Sequence, residues 1–357
     1  MVIGAVIALF KDDLKGLLAF STVSHLGLIT MLLGFGTKSA AVVAVFHIIN
    51  HASFKAALFM TAGIIDHEAH TRDIKRLGGL RHLMPITFII ATITALSMAG
   101  VPPLNGFISK EMMLKETTYA VWLGNGFIVP ALATLGALFS VAYSFRYIWH
   151  VFYGPVRNDY PAKPHDPGFG MWAGPALLAG IVITIGIMPG LVEPLVSQVA
   201  AAVTGAEPEV HLKLWHGVNA ALFMSIAAIA GGAFLLSIHG RLERDWQRIG
   251  PPAAKPIFDA IVGALTSTAR AVTAALHNGS FTRFGAIFTA TVIAAGVLAW
   301  NSGEMRAASR DGLAVAFVPL IAVILLAGAT ICVVVFHRRR LLALVIIAVR
   351  RTVLTLP

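Results

Sequence analysis

Three proton-binding side chains recur at one interval inside an apolar stretch: His47, His51 and Lys55, at i, i+4 and i+8. An α-helix rises about 1.5 Å per residue, so this spacing lays them along one face at steps of about 6 Å. Asn50 and Ser53 flank the stripe as hydrogen-bonding side chains. Imidazole changes charge near neutral pH, and a lysine amine can hold or release a proton where its surroundings disfavour the charge. Stacked one turn apart, and close enough for water to join them, these groups have the chemistry of a proton relay. A metal site is the rival, because two histidines at i and i+4 can share an ion. The helix carries no His-Glu-x-x-His pattern and no nearby carboxylate, so no metal is expected.

A second constellation follows about fifty residues later. Gly100, Pro102, Pro103 and Gly106 interrupt an apolar run immediately before Lys110 and Glu111. A helix is broken within a membrane only where protein or water satisfies the freed backbone, and in transporters such breaks line ion paths. Lys110 would be a proton-exchanging group there, with Glu111 beside it. A third polar cluster, Ser21, Thr22, Ser24 and His25, lies in an earlier apolar run. His25 either extends the relay or is bonded to a neighbouring helix. Asp66-His67-Glu68-Ala69-His70 has metal-like composition but reads as a solvated loop turn. Tyr143, Arg146, Tyr147, Trp149 and His150 read as an interfacial helix end with an aromatic belt.

Those side chains need elements to position them, and the composition says what kind. Of 357 residues, 57% are hydrophobic and 12% are charged, too few charges to cover a soluble domain of this size. An ionisable group at mid-membrane costs at least about 2.5–3.5 kcal/mol, so the stripe must face protein or water. The expected fold is all-α: a polytopic transmembrane helix bundle with one broken helix and a surface-lying amphipathic helix. A partial helix is expected over Val2–Phe10, and spans over about Leu14–Phe35, Ala40–Ile65 and the interrupted Pro85–Glu116. Further spans are expected over about Gly126–Tyr153, Met171–Val199, Leu214–Ile238, Gly285–Trp300 and Leu313–Phe336, with a last apolar stretch from Leu341. Between Pro256 and Leu276 apolar residues recur at helical spacing opposite Lys255, Asp259, Arg270 and His277, and Asn278-Gly279 supplies a stop. That helix suits the membrane surface.

A net charge of +10 would suggest nucleic acid in a soluble protein; here the cations gather in loops between apolar runs. Lys11, Lys15, Arg72, Lys75, Arg76, Arg81, Arg157, Lys163, Arg241, Arg244, Arg248 and Arg338 to Arg340 fall on one side when the spans are walked. Lys38, Lys115, Lys213, Arg306 and Arg310 fall on the other, with Glu207 and Glu209. The first side is therefore cytoplasmic. The single Cys332 excludes a disulfide or a Cys-x-x-Cys site within the chain.

Three stretches resemble a known family. Asp13-Leu-Lys-Gly-Leu-Leu-Ala-Phe-Ser-Thr-Val-Ser-His-Leu-Gly27, Phe46 to Phe59 and Pro103-Leu-Asn-Gly-Phe-Ile-Ser-Lys-Glu111 are similar to signatures of antiporter-like membrane subunits. These occur in respiratory NADH-quinone oxidoreductase and in Mrp-type multisubunit cation/proton antiporters. Gly63 to Leu80 looks like the large A subunit of the Mrp group. The match is dense over about Lys11–Pro155 and diffuse afterwards. The resemblance implies that His47, His51 and Lys55 form the central relay and that Lys110 is its terminal exchanging residue. It implies a multi-pass protein of the bacterial inner membrane, with no redox cofactor and no nucleic acid partner. The implied partners are other antiporter subunits and membrane lipid, with Na+ or K+ and H+ as transported ions. The alternative is a proton-pumping subunit of NADH-quinone oxidoreductase. The family's glutamate–lysine pair on earlier helices has no counterpart here, and Arg350 and Arg351 would sit inside a helix that the family continues. The chain thus reads as a piece of a larger protein, truncated at both ends. Its expected parts are residues 1–155 (antiporter-like core), 156–250 (additional spans), 251–284 (lateral helix and linker) and 285–357 (further spans).

Overall fold

In lipid every backbone polar group must be satisfied within its own segment, and the chain answers with helices throughout. The computed structural model describes residues 1–206, 208–215, 217–250, 254–276, 279–302, 317–336 and 338–354. In chain order the helices are α1 (Val2–Leu9), α2 (Leu14–Gly34), α3 (Lys38–Ala69), α4 (Leu80–Leu83), α5 (Pro85–Ala99), α6 (Asn105–Thr117), α7 (Ile128–Phe152) and α8 (Phe169–Ile187). They continue with α9 (Glu193–Thr204), α10 (Ala220–Ser237), α11 (His239–Ile249), α12 (Ala254–Leu276), α13 (Phe281–Ser302), α14 (Phe317–Val335) and α15 (Arg340–Leu354). No strand occurs among the described residues; two isolated bridges, Asp13 with Asp73 and Trp122 with Asn125, are the extended pairings present. Among the described residues, seven helices are long and apolar enough to cross a bilayer, including α2, α3, α7, α8 and α10. The protein is a polytopic helical membrane protein.

The chain divides into two compact units, Met1–Pro252 and Ala253–Pro357. In the first, Leu9, Leu17, Phe54, Leu58, Tyr147, Phe152 and Val182 form a core shared by α1, α2, α3, α7 and α8. A second cluster around Leu32, Val43, Leu114 and Ala133 lies towards the far ends of α2 and α7. A third, around Phe46, Phe107, Ile108 and Val196, joins α3 and α6 to α9. In the second unit α12 keeps its apolar side chains, such as Ile257, Phe258 and Leu265, exposed within the chain. By length and composition α12 also qualifies as a span. Its expected stop at Asn278, together with Glu207, Arg306 and Arg310, lies outside the described residues.

The helix starts follow from local chemistry. The Asp13 carboxylate accepts from Lys15 N at 3.0 Å, and Thr37 Oγ1 accepts from Ala40 N at 3.2 Å, capping α2 and α3. Helix α5 begins on Pro85, where the missing N–H is harmless. Its next two amides are capped from a distant loop: Asp166 accepts from Ile86 N at 2.8 Å and Thr87 N at 3.0 Å.

Three expectations change. The span expected over Met171–Val199 ends at Ile187; the chain turns through Met188, Pro189 and Gly190 before α9 starts at Glu193. Pro189 lacks the N–H that would continue the helix, and Pro194 sits in the first turn of the next one. The span expected from Leu214 starts instead at Ala220, where Asn219 Oδ1 accepts from Leu222 N at 2.9 Å. Helix α3 runs 32 residues to Ala69, so Asp66 to Ala69 are its last turn rather than a loop, and His70 closes it in the left-handed region at φ 50°. At about 48 Å, α3 exceeds the roughly 30 Å of a bilayer core, so its end projects beyond it.

Candidate functional site: a buried polar line

Helical periodicity puts His47 and Lys55 on the buried side of α3, and both are almost fully enclosed. What they meet is set by α2, α6 and α7. His47 Nε2 is 3.0 Å from His25 Nδ1 on α2, and the two rings stack with centroids 5.2 Å apart. On its other side His47 Nδ1 lies 2.9 Å from Ser109 Oγ on α6. His25 Nε2 lies 3.2 Å from the Tyr143 hydroxyl on α7, which in turn is 2.9 Å from Ser140 Oγ. Lys110 Nζ closes the line by donating to Ser140 Oγ at 2.8 Å. Lys110, Ser140, Tyr143, His25, His47 and Ser109 are thus hydrogen-bonded in unbroken succession.

One arrangement of protons satisfies every member. The ammonium of Lys110 can only donate, so Ser140 accepts from it and donates to Tyr143. Tyr143 then donates to His25 Nε2, His25 Nδ1–H to His47 Nε2, and His47 Nδ1–H to Ser109, whose hydroxyl is 3.4 Å from Gly106 O. Each imidazole carries one proton, and all bonds point the same way. Beside this line a cavity of about 10 Å³, lined by Ser24, His25, Lys110 and Ser140 among others, has roughly the room of one water.

The break between α5 and α6 creates the seat for Lys110. Ending a helix frees its last four carbonyls. Those of Leu96 and Ser97 accept from Gly100 N at 3.0 and 2.9 Å, and Leu96 O also accepts from Val101 N. The remaining two, of Met98 and Ala99, accept from Lys110 Nζ at 2.6 and 3.1 Å. An ammonium at the negative end of a helix dipole is well placed. Gly100 adopts φ 86°, which a side chain resists, and a Cβ there would also meet Lys110 Cδ at 2.8 Å. Pro102 and Pro103 prevent the helix from resuming before Asn105.

Asn50 and Ser53 serve the break rather than the histidines. Asn50 Nδ2 donates to Asn105 O at 3.1 Å, Asn105 Nδ2 donates to Ser53 Oγ at 3.2 Å, and Ser97 Oγ donates to Asn105 Oδ1 at 2.6 Å. All four are buried. They tie α3, α5 and α6 together where Gly106 lets the backbones touch. Glu111 is buried next to Lys110.

The stripe on α3 is not joined end to end. His47 and His51 have ring centroids 6.3 Å apart, and His51 Nε2 has no hydrogen-bond partner. The His51 ring is 5.2 Å from that of His25. Lys55 turns to α2, where its Nζ bonds Ser21 Oγ and, at 3.1 Å, Leu18 O. The α2 cluster therefore meets the stripe at two points, Ser21 on Lys55 and His25 on His47.

Two sequence readings fail here. Tyr143, Arg146 and Tyr147 are not an interfacial belt: all three are buried, and of that group Trp149 is the exposed one, stacked on Tyr153. Arg146 instead donates to Leu9 O at 2.8 Å, Lys11 O at 2.6 Å and Asp12 Oδ1 at 2.6 Å. Asp12 also pairs with Lys75 at 2.7 Å, and Lys75 with Glu243 at 2.5 Å. Burial alone would raise the Asp12 carboxyl, but hydrogen bonds from Lys75 and Arg146 outweigh it and hold its pKa below the usual range. Nor is Asp66 to His70 a solvated turn. Asp66 pairs with Lys15 at 2.7 Å, and the buried Glu68 lies 3.0 Å from His67 Nδ1 and 3.2 Å from His165 Nδ1. Sequence reasoning missed Ser140, Tyr143 and Ser109 as members of the line. The 3–4 spacing of Ser140, Tyr143, Ser144 and Tyr147 within an apolar run was the signal present.

Known proteins share this arrangement of helices. Residues 1–137 match the family described as NADH:quinone oxidoreductase/Mrp antiporter, transmembrane. The A/B subunit of a probable K(+)/H(+) antiporter from Rhizobium meliloti is 49% identical over 236 residues, covering 65% of this chain and 24% of the relative. The A1 subunit of a Na(+)/H(+) antiporter from Staphylococcus aureus is 41% identical over 252 residues, covering 63% of this chain and 31% of the relative. The matches thus span about a quarter to a third of the length of these curated relatives. Among solved structures, the Mrp complex from a Dietzia species superposes with a TM-score of 0.67 at 31% identity, covering 99% of this chain and 38% of that one. The relatives are named as antiporter subunits, which are transporters rather than enzymes. Residues 1–137 thus match the NADH:quinone oxidoreductase/Mrp antiporter transmembrane family, and the chain is similar to A subunits of cation/proton antiporters and to the Mrp complex.

Proposed function

We propose that this chain is part of a membrane subunit of a multisubunit monovalent cation/proton antiporter, and that protons move along its buried polar line. The supporting observation is the continuity of that line: five hydrogen bonds of 2.8–3.2 Å link Lys110 through Ser140, Tyr143, His25 and His47 to Ser109. Because all bonds point one way, a proton added at one end can be passed by concerted shifts, after which the line points in the opposite sense. Lys110 holds the proton at the helix break. His51, with an open Nε2 between the His25 ring and the Lys55 side of α3, carries the path on through water. In the assembled complex the partners are the other antiporter subunits and surrounding lipid, and Na+ or K+ is exchanged for H+ across a bacterial cell membrane.

The test uses everted vesicles containing the whole complex, with an acid interior established first. Addition of Na+ or K+ collapses the pH gradient in the native complex. Lys110→Ala and His25→Ala abolish that collapse while the complex still assembles. Undiminished collapse in both variants overturns the relay.

A further inference from the structure

At the end of the bundle away from Asp13, the chain folds over a second, separate cavity. It measures about 420 Å³ and lies where α2 ends, α3 begins, α6 ends and α7 begins. Its lining includes Phe35, Thr37, Tyr119, Trp122 and Val129, with Glu116 as its one carboxylate. We propose that this cavity binds a substituted ammonium ion, one that carries its positive charge among apolar groups.

Charge, wall chemistry and size each favour that ligand. Ser39 Oγ donates to Glu116 Oε1 at 2.6 Å, and among the described residues no ion pair includes Glu116. The nearest cations in sequence, Lys38 and Lys115, have exposed side chains. Helices α2 and α6 bring their C-terminal ends here and α3 and α7 their N-terminal ends, so the helix dipoles offset one another and Glu116 sets the sign of the charge. Three of the lining side chains are aromatic, Phe35, Tyr119 and Trp122, and aromatic faces attract alkylated ammonium groups. Trp122 is held in a tight turn, bonded from its N to Asn125 O at 3.1 Å and back at 2.9 Å, with Leu123 and Gly124 at positive φ. The volume falls in the usual range for small-molecule sites, about 300–1,000 Å³. A bare alkali ion would need a close cage of oxygens to replace its water, which a roomy, largely apolar-walled pocket with one carboxylate does not supply.

The inference is independent of the proton line, since none of these residues belongs to it. The ammonium can be that of a free amine or of a lipid headgroup. The experiment measures binding to the complex purified in detergent, using choline, dihexanoylphosphatidylcholine and the neutral choline isostere 3,3-dimethylbutan-1-ol. Saturable binding of choline, weakened about tenfold or more in both Glu116→Gln and Trp122→Ala and absent for the isostere, supports a free amine. The same pattern confined to dihexanoylphosphatidylcholine assigns the site to a headgroup. Glutamine keeps an acceptor for Ser39, so Glu116→Gln retains the local fold, and unaltered thermal unfolding verifies it. The proposal is overturned if neither choline nor dihexanoylphosphatidylcholine binds saturably, if the isostere binds equally, or if Glu116→Gln leaves affinity unchanged.

Discussion

His25 Nδ1 and His47 Nε2 stand 3.0 Å apart on two different helices, with their rings inclined by only 13°. The next imidazole on α3, His51, has its ring 5.2 Å from that of His25 by centroids, but its Nε2 makes no hydrogen bond. The proton line therefore crosses from α2 to α3 at one bond.

Removing that bond should be more damaging than removing a stripe member outside the hydrogen-bonded line. His25→Ala is expected to lower cation-driven proton flux in vesicles by about a hundredfold, the usual scale for losing a proton-transfer group. His51→Ala should retain a measurable rate, because water can occupy the vacated volume. Equal loss in the two variants would place the path along α3 instead.

The Tyr143 hydroxyl bridges Ser140 and His25, so Tyr143→Phe cuts the line while keeping the ring packed. Loss of one buried hydroxyl with its partners left behind costs about 1–3 kcal/mol. The complex should assemble, melt a few degrees lower and transport poorly. Trp149→Phe, at an exposed position on the same helix, should leave flux unchanged.

Gly106 tests the helix break by shape alone. A Cβ at this position would lie 1.9 Å from Ser97 O, a backbone atom that cannot step aside. Gly106→Ala should force α5 and α6 apart at a cost of several kcal/mol, above the roughly 1–3 kcal/mol of ordinary overpacking. Thermal unfolding of the purified complex would show it. Gly63→Ala, with open space around its Cβ, is the matched control.

Asp12 makes a pH prediction outside the membrane. Its folded pKa is depressed by Lys75 and Arg146 against the opposing effect of burial, so its contribution is complete above the unfolded value of about 3.9. That contribution disappears as pH falls through the lower folded value. Melting temperature should therefore drop between about pH 4 and the folded pKa, and Asp12→Asn should flatten that part of the curve. A curve of unchanged steepness in the variant would assign the acid sensitivity to other carboxylates.

Much of this molecule is a local matter, and so was readable from the order of residues. Lipid demands long apolar runs, which mark α2, α3, α7 and α10; the i, i+4, i+8 spacing puts His47, His51 and Lys55 on one face; and Gly100 with Pro102 and Pro103 breaks a helix wherever they occur. Composition near a helix end is less telling. Tyr143, Arg146 and Tyr147 look the same in sequence whether they meet lipid headgroups or the inside of a bundle, and Tyr143 finds His25 across 118 positions. Which imidazole bonds which partner, that Asn50 and Ser53 hold the break instead of the histidines, and that α3 continues to Ala69 depend on neighbours contributed by other helices. Spacing along one chain sets the face a side chain occupies, whereas the packing of α2, α3, α6 and α7 against each other decides what that face touches.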